Sequence, residues 1–181
     1  MAESTYQIYN DWLPEDDFNN LRDSIIFNSK MPLYLVEDVA YAQDHPDYRA
    51  ETTGGLDCWY GVNTVYTHYE AHSNAWPQLR DMFLPAFENL ENQLRVLMRI
   101  KVNFYPRTEK IFEHPKHKDY PFPCPGAVLS LNTCDGFTRL ADGTVLDSIA
   151  NRLVVFNSGE EHNSSTTTNA KGRFNINFNW L

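Results

Sequence analysis

His117-Lys118-Asp119 sets an imidazole and a carboxylate two positions apart, and in an extended backbone that spacing turns both side chains to the same side. Two such groups can grip one metal ion. A third from elsewhere would complete a facial set of two histidines and one carboxylate, which leaves open positions on Fe(II) for an oxidant and a co-substrate. His162 is the best third candidate, since it follows the apolar run Leu153-Val154-Val155-Phe156 and precedes a strand-like stretch that begins at Arg173. Eleven positions separate His162 from Arg173, enough for a strand end, a turn and the start of an antiparallel strand, so the guanidinium can point into the cavity that holds the imidazole. Its fork of donors suits a carboxylate. An arginine fixed near an open iron is equipped to hold a dicarboxylic keto acid, with the keto-acid end on the metal and the distal carboxylate on the arginine.

The elements that must position these groups fall into two halves. Leu13 to Ile26 opens with Pro14 and three acids and then places Phe18, Leu21, Ile25 and Ile26 at helical spacing, which predicts an amphipathic helix. Pro77 to Leu97 does the same with Leu79, Met82, Phe83, Phe87, Leu90 and Leu94, with a bend expected at Pro85. A strand is expected near Tyr60 to Tyr66. Between Val36 and Trp59 the sequence is polar and broken by Pro46, Gly54 and Gly55, which reads as a long loop and, next to an oxidising centre, as a substrate lid. Beyond residue 97 the texture changes to short β-rich runs: Met98 to Tyr105, Gly126 to Asn132, Arg152 to Asn157 and Arg173 to Trp180. Helices first and strands afterwards predict an α+β, mainly β molecule, a double-stranded β-helix or jelly roll with N-terminal helices packed on one sheet.

The last run is the most informative. Arg173, Asn175, Asn177 and Asn179 alternate with Phe174, Ile176, Phe178 and Trp180, so one face of a pleated strand is polar and the other apolar. Asparagine is a poor strand former, and three of them beside one arginine are better explained by a cavity that needs hydrogen bonds than by a solvent face.

A chain of 181 residues with 42% apolar and 14% aromatic content can bury one core of ordinary size, so a single domain is expected over 1–181, with a helical and lid region to about 97 and a jelly-roll core from about 98. The net charge of −9 disfavours nucleic acid as a partner. No apolar run approaches the ~20 residues that span a bilayer, and the first residues lack the basic and apolar regions of a secretion signal; a cytosolic location is expected. Cys58, Cys124 and Cys134 form no CxxC pair and read as reduced structural thiols. His45, His68 and His72 are assigned no role, and Lys110, Lys116 and Lys118 read as a solvated rim.

Taken together, His117-Lys-Asp119, Arg152-Leu-Val-Val-Phe-Asn-Ser-Gly-Glu-Glu-His162 and Arg173-Phe-Asn-Ile-Asn-Phe-Asn-Trp180 resemble the prolyl-4-hydroxylase-like branch of the 2-oxoglutarate/Fe(II) oxygenases, and especially its small bacterial and phage versions. For a phage protein the host cytoplasm would be the place of action. The resemblance covers about residues 98 to 181. It implies Fe(II), 2-oxoglutarate and O2 as cofactor and co-substrates, and hydroxylation of a C–H bond coupled to conversion of 2-oxoglutarate to succinate and CO2. A prolyl residue of a peptide or protein is the leading substrate, a free amino acid the next, and a nucleobase third because of the acidic charge. Asn103-Phe104-Tyr105-Pro106 matches the strand whose tyrosine binds a 2-oxoglutarate carboxylate, so that role falls to Tyr105. Leu129-Ser130-Leu131-Asn132 matches the strand whose inward residues line the co-substrate pocket, which makes Ser130 and Asn132 candidate contacts together with Asn175. Collagen-type relatives carry lysine where Arg173 stands. His114 stands where relatives have an aromatic residue and is a candidate to orient the ligands; Pro115 disfavours the turn that would make it a ligand itself. A cupin-like metal enzyme that uses no keto acid, or a non-catalytic jelly-roll binding module, are the alternative readings.

Overall fold

A computed structural model describes residues 6–27, 31–37, 59–91 and 93–181. The segment expected to form a lid, 36–59, lies almost entirely outside the described residues.

Helix α1 spans Glu15–Ile26 and helix α2 spans Trp76–Phe87. Glu15, Asp16 and Asp17 occupy the first turn of α1, where the partial positive charge of the helix end favours them. Pro77 sits at the start of α2, where its missing N–H removes no bond. The second helix was expected to run to Leu97 and instead ends at Phe87. Pro85 removes one N–H from its last turn, and the chain leaves the helix through tighter bonds, Glu88 N–H to Pro85 O at 3.3 Å and Leu90 N–H to Phe87 O at 3.1 Å. Leu90 is nevertheless buried in the same core as Phe87, which is why the apolar spacing outlasts the helix.

Eleven strands are described: β1 (Tyr6–Tyr9), β2 (Tyr34–Val36), β3 (Tyr60–Thr67), β4 (Glu70–Ala71), β5 (Leu97–Pro106), β6 (Pro125–Ser130), β7 (Phe137–Arg139), β8 (Val145–Asp147), β9 (Leu153–Asn157), β10 (Asn163–Ser164) and β11 (Gly172–Trp180). The main sheet has the order β1-β9-β6-β11-β5-β3-β2, with β4 on β3, and the second sheet the order β10-β7-β8; every strand pair is antiparallel. The order is that of a double-stranded β-helix, with the helices on the outer face of the main sheet.

Strand β11 shows why the helices lie there. Its residues Ile176, Phe178 and Trp180 are fully buried with Leu21, Leu79 and Phe83 in one cluster. Phe178 meets Phe83 edge-on at 4.8 Å and Phe87 at 5.2 Å, and Trp12 stacks on Phe83 at 5.8 Å; each such pair adds ~0.5–1.5 kcal/mol to the burial itself. The opposite face of β11 and of its neighbour β5 looks toward the second sheet. In register, Arg173 stands beside Tyr105, Asn175 beside Asn103, Asn177 beside Lys101 and Asn179 beside Arg99. Leu140, Leu146, Val154 and Phe156 pack as an apolar cluster at one end of this inter-sheet space. The remainder is polar.

Candidate metal centre

The backbone brings the two histidines together. His117 and His162 form an antiparallel bridge, each N–H donating to the other's carbonyl at 2.9 Å, and the Asp119 N–H donates to Ser158 O at 3.0 Å. The HxD segment thereby lies against the turn that follows β9, where the Asn157 side chain accepts from Gly159 N–H at 3.1 Å. As a result one ligand atom each of His117, Asp119 and His162 lies within 4.8 Å of the other two.

The protonation states suit a cation. A carbonyl only accepts, so His162 Nδ1 donates to Glu160 O at 3.0 Å, which leaves Nε2 as the ring nitrogen available to a cation. Burial, with the charge of His162 next, pushes the His117 imidazolium down to about 4, so that ring is neutral at neutral pH. Burial works against ionisation of Asp119, but the Arg99 guanidinium beside it and the Asn179 amide hold its carboxyl well below the usual carboxylate range. Arg99 Nη2 lies 2.6 Å from Asp119 Oδ1, and Asn179 Nδ2 donates to Oδ2 at 2.9 Å. The same Oδ1 faces His117 Nε2 at 3.8 Å. Two imidazoles and one fixed carboxylate form the donor set of a facial site. A cupin-like centre would need three histidines and a glutamate, which this cluster does not contain.

The cluster opens into a cavity of about 470 Å3, its mouth included, lined on the main sheet by Arg99, Lys101, Asn103, Tyr105, Asn175 and Asn177. Behind its Thr138 wall lies Arg173, 1% exposed. Its Nε donates to Ser148 Oγ at 2.6 Å and its Nη2 to Thr138 Oγ1 at 2.8 Å, and its guanidinium sits 5.5 Å from the Tyr105 ring centre. Among the described residues no carboxylate lies within ion-pair distance of Arg173. A buried cation without a counter-ion is costly, and a carboxylate arriving from solution would relieve that cost. Burial raises the Tyr105 phenol above its ordinary value, against the pull of Arg173, so it stays a neutral donor.

The other expected contacts divide. Asn175 lines the cavity and accepts from Asn103 Nδ2 at 3.0 Å, and Ser130 lines a smaller recess with Arg173. Asn132 is turned away: its amide donates to Gly172 O at 3.0 Å and accepts from Phe174 N–H at 2.8 Å, tying the chain beyond β6 to β11. His114 lies against Tyr105 with ring centres 5.1 Å apart and tilted, and pairs with Ser164 Oγ at 2.9 Å; it stands outside the ligand cluster. Sequence reasoning missed Arg99, Lys101 and Asn103. Their signal was available, since Arg99, Lys101, Asn103 and Tyr105 alternate with Ile100, Val102 and Phe104 as the polar and apolar residues of β11 do.

The sequence matches no family model and no curated protein. The fold does find counterparts among solved structures. A Pseudomonas putida prolyl-4-hydroxylase is 17% identical, with 99% of this chain and 93% of that one covered at a TM-score of 0.59. A Trichoplax adhaerens prolyl hydroxylase, solved in complex with a peptide fragment of the hypoxia inducible factor oxygen degradation domain, is 14% identical over 99% and 84% at 0.62. A Burkholderia pseudomallei oxidoreductase of the 2OG-Fe(II) oxygenase family is 12% identical over 98% and 86% at 0.60. The chain shares their fold over nearly its whole length.

Proposed function

We propose that this chain is an Fe(II)- and 2-oxoglutarate-dependent dioxygenase that hydroxylates a C–H bond. The observation that carries this reading is the convergence of His117, Asp119 and His162 within 4.8 Å, in one inter-sheet space with an arginine that is buried yet has no carboxylate partner among the described residues. Fe(II) and 2-oxoglutarate, once bound, supply the oxidative decarboxylation that yields succinate and CO2 and drives the hydroxylation.

The chain's own residues bind and orient. His117 Nε2, Asp119 and His162 Nε2 hold the metal, with Arg99 and Asn179 keeping the carboxylate ionised and pointed. Arg173 binds the distal carboxylate of the keto acid through its remaining N–H groups, and Tyr105 adds a neutral O–H. Asn103, Asn175 and Asn177 offer amides along the floor between these two ends. Leu140, Leu146, Val154 and Phe156 close one end of the space and keep water from reaching it there.

A prolyl residue of a peptide or protein is the proposed substrate class, supported by the sequence resemblance and by the prolyl hydroxylases that share the fold. The test is incubation with Fe(II), 2-oxoglutarate and O2 against prolyl peptides and free amino acids, with mass spectrometry for a gain of one oxygen. A gain confined to non-prolyl substrates would keep the oxygenase and discard the prolyl assignment.

A further inference from the structure

We propose that Lys101 recognises a carboxylate on the primary substrate, so that the molecule oxidised is a free amino acid or the C-terminal residue of a peptide rather than an internal stretch of chain. This rests on the Fe(II) and 2-oxoglutarate reading above.

The Lys101 side chain lines the metal cavity, with its ammonium 5.5 Å from the Tyr60 ring centre. Among the described residues it has neither a hydrogen bond nor an ion pair, unlike Arg99, whose charge is met by Asp119. Burial lowers its pKa to about 8, which leaves it mostly protonated at neutral pH. A lysine withdrawn from solvent with no anion beside it is unfavourable, whereas on the same face Arg99 bonds Asn177, Asn179 and Asp119 and Asn103 bonds Asn175.

The position sets Lys101 apart from Arg173, to which the distal carboxylate of 2-oxoglutarate is assigned. Lys101 is four residues from Tyr105 on β5, about 13 Å along the strand at ~3.3 Å per residue, and its register partner is Asn177 rather than Arg173. Asn177 Nδ2 approaches Asp119 Oδ2 at 3.5 Å, so Lys101 stands at the metal end of the cavity. Charge points the same way. Arg173 takes the distal carboxylate, Asp119 answers Arg99, and the keto-acid carboxylate offsets only one of the two charges of Fe(II). One positive charge is then left at the metal and another at Lys101. Asp119 is the sole carboxylate among the described residues that line this cavity, so an anionic group on the substrate is what neutralises the excess.

The test is equilibrium dialysis of the anaerobic protein loaded with Fe(II) and 2-oxoglutarate against four pools: the proteinogenic L-amino acids, their amides, short peptides with free C-termini, and the same peptides amidated. Mass spectrometry reads what is retained. At least one free acid should be retained about tenfold or more over its amide, the least expected of a shielded charge pair. Which pool holds it separates the amino-acid source from the peptide source. Lys101→Met should erase the preference while leaving the affinity for 2-oxoglutarate and the thermal midpoint unchanged or higher, and Lys101→Arg should retain the preference. The proposal is overturned if wild-type protein retains acids and amides alike or neither, if Lys101→Met keeps the preference, or if that variant instead loses 2-oxoglutarate, which would assign the lysine to the co-substrate. If wild-type protein fails to retain 2-oxoglutarate, the oxygenase reading itself falls and takes this one with it.

Discussion

Asp119 owes its charge and its direction to neighbours that never need to touch the metal. Arg99 and Asn179 hold one oxygen each, so Asn179→Ala should swing the carboxylate without discharging it. Loss of such an orienting partner costs ~10–100-fold in metal affinity, and a competition titration with Fe(II) should read it. Arg173→Ala acts at the other end of the cavity. It should raise the KM for 2-oxoglutarate by at least about thirtyfold, the equivalent of ~2 kcal/mol for truncating one partner of a buried charge pair, while Fe(II) affinity stays near that of wild type. His117 contributes to the pH response of the metal-free protein between about pH 4 and 6.5. Its folded pKa, about 4, lies below the ordinary 6.5, so its contribution to stability is complete above pH 6.5 and is lost as the pH falls from there toward 4. Thermal midpoints measured across that window should fall, and His117→Gln should flatten the slope; an unchanged slope would place the titration elsewhere.

At the scale of elements, β5 and β11 carry both the core and the site, on opposite faces. Phe178→Ala opens a cavity between Trp12, Phe83 and Phe87 and should cost ~3–5 kcal/mol in urea denaturation, although its neighbours Asn177 and Asn179 belong to the metal centre. Gly136 shows the reverse dependence of site on backbone: a Cβ there would stand 2.8 Å from Arg173 Cδ and 2.7 Å from Thr166 O. Gly136→Ala should therefore raise the KM for 2-oxoglutarate with little effect on Fe(II) binding, as steady-state kinetics and a metal titration can check. The long strands were legible in the sequence because alternation over nine or ten residues has no good competitor, and β11 declared its two faces through one Arg and three Asn on one side and Phe, Ile and Trp on the other. The strands β1, β2, β4, β7, β8 and β10 run from two to four residues, too short for a period to emerge; they exist because neighbouring strands offer unpaired backbone. The end of α2 was misread for a related reason, since Leu90 and Leu94 keep apolar spacing for burial after the hydrogen-bond ladder has stopped. Residue type and spacing were enough to anticipate that His117, Asp119 and His162 converge and that Arg173 is buried facing the second sheet. Arg99 and Lys101 share the alternation of β5, but only the register sets them beside Asn179 and Asn177, and the Asn132 amide bonds the β11 backbone.

Over the whole molecule, a chain of net charge −9 gathers Arg99, Lys101 and Arg173 into one inter-sheet space, where among the described residues Asp119 pairs with Arg99 alone of the three. Such a field draws small anions inward while the outer surface repels polyanions. Structures with 12–17% identity share this fold across nearly the full chain, which follows if the layered architecture tolerates wide substitution and a few positions carry the chemistry. The central claim is that those positions bind Fe(II) and turn over 2-oxoglutarate, and succinate release is its most direct measure. Protein supplied with Fe(II), O2 and 2-oxoglutarate should form succinate above a metal-free control, and Asp119→Ala, folded by circular dichroism, should not. Equal succinate from wild type and Asp119→Ala, or none from a wild-type protein that binds Fe(II), would contradict the account.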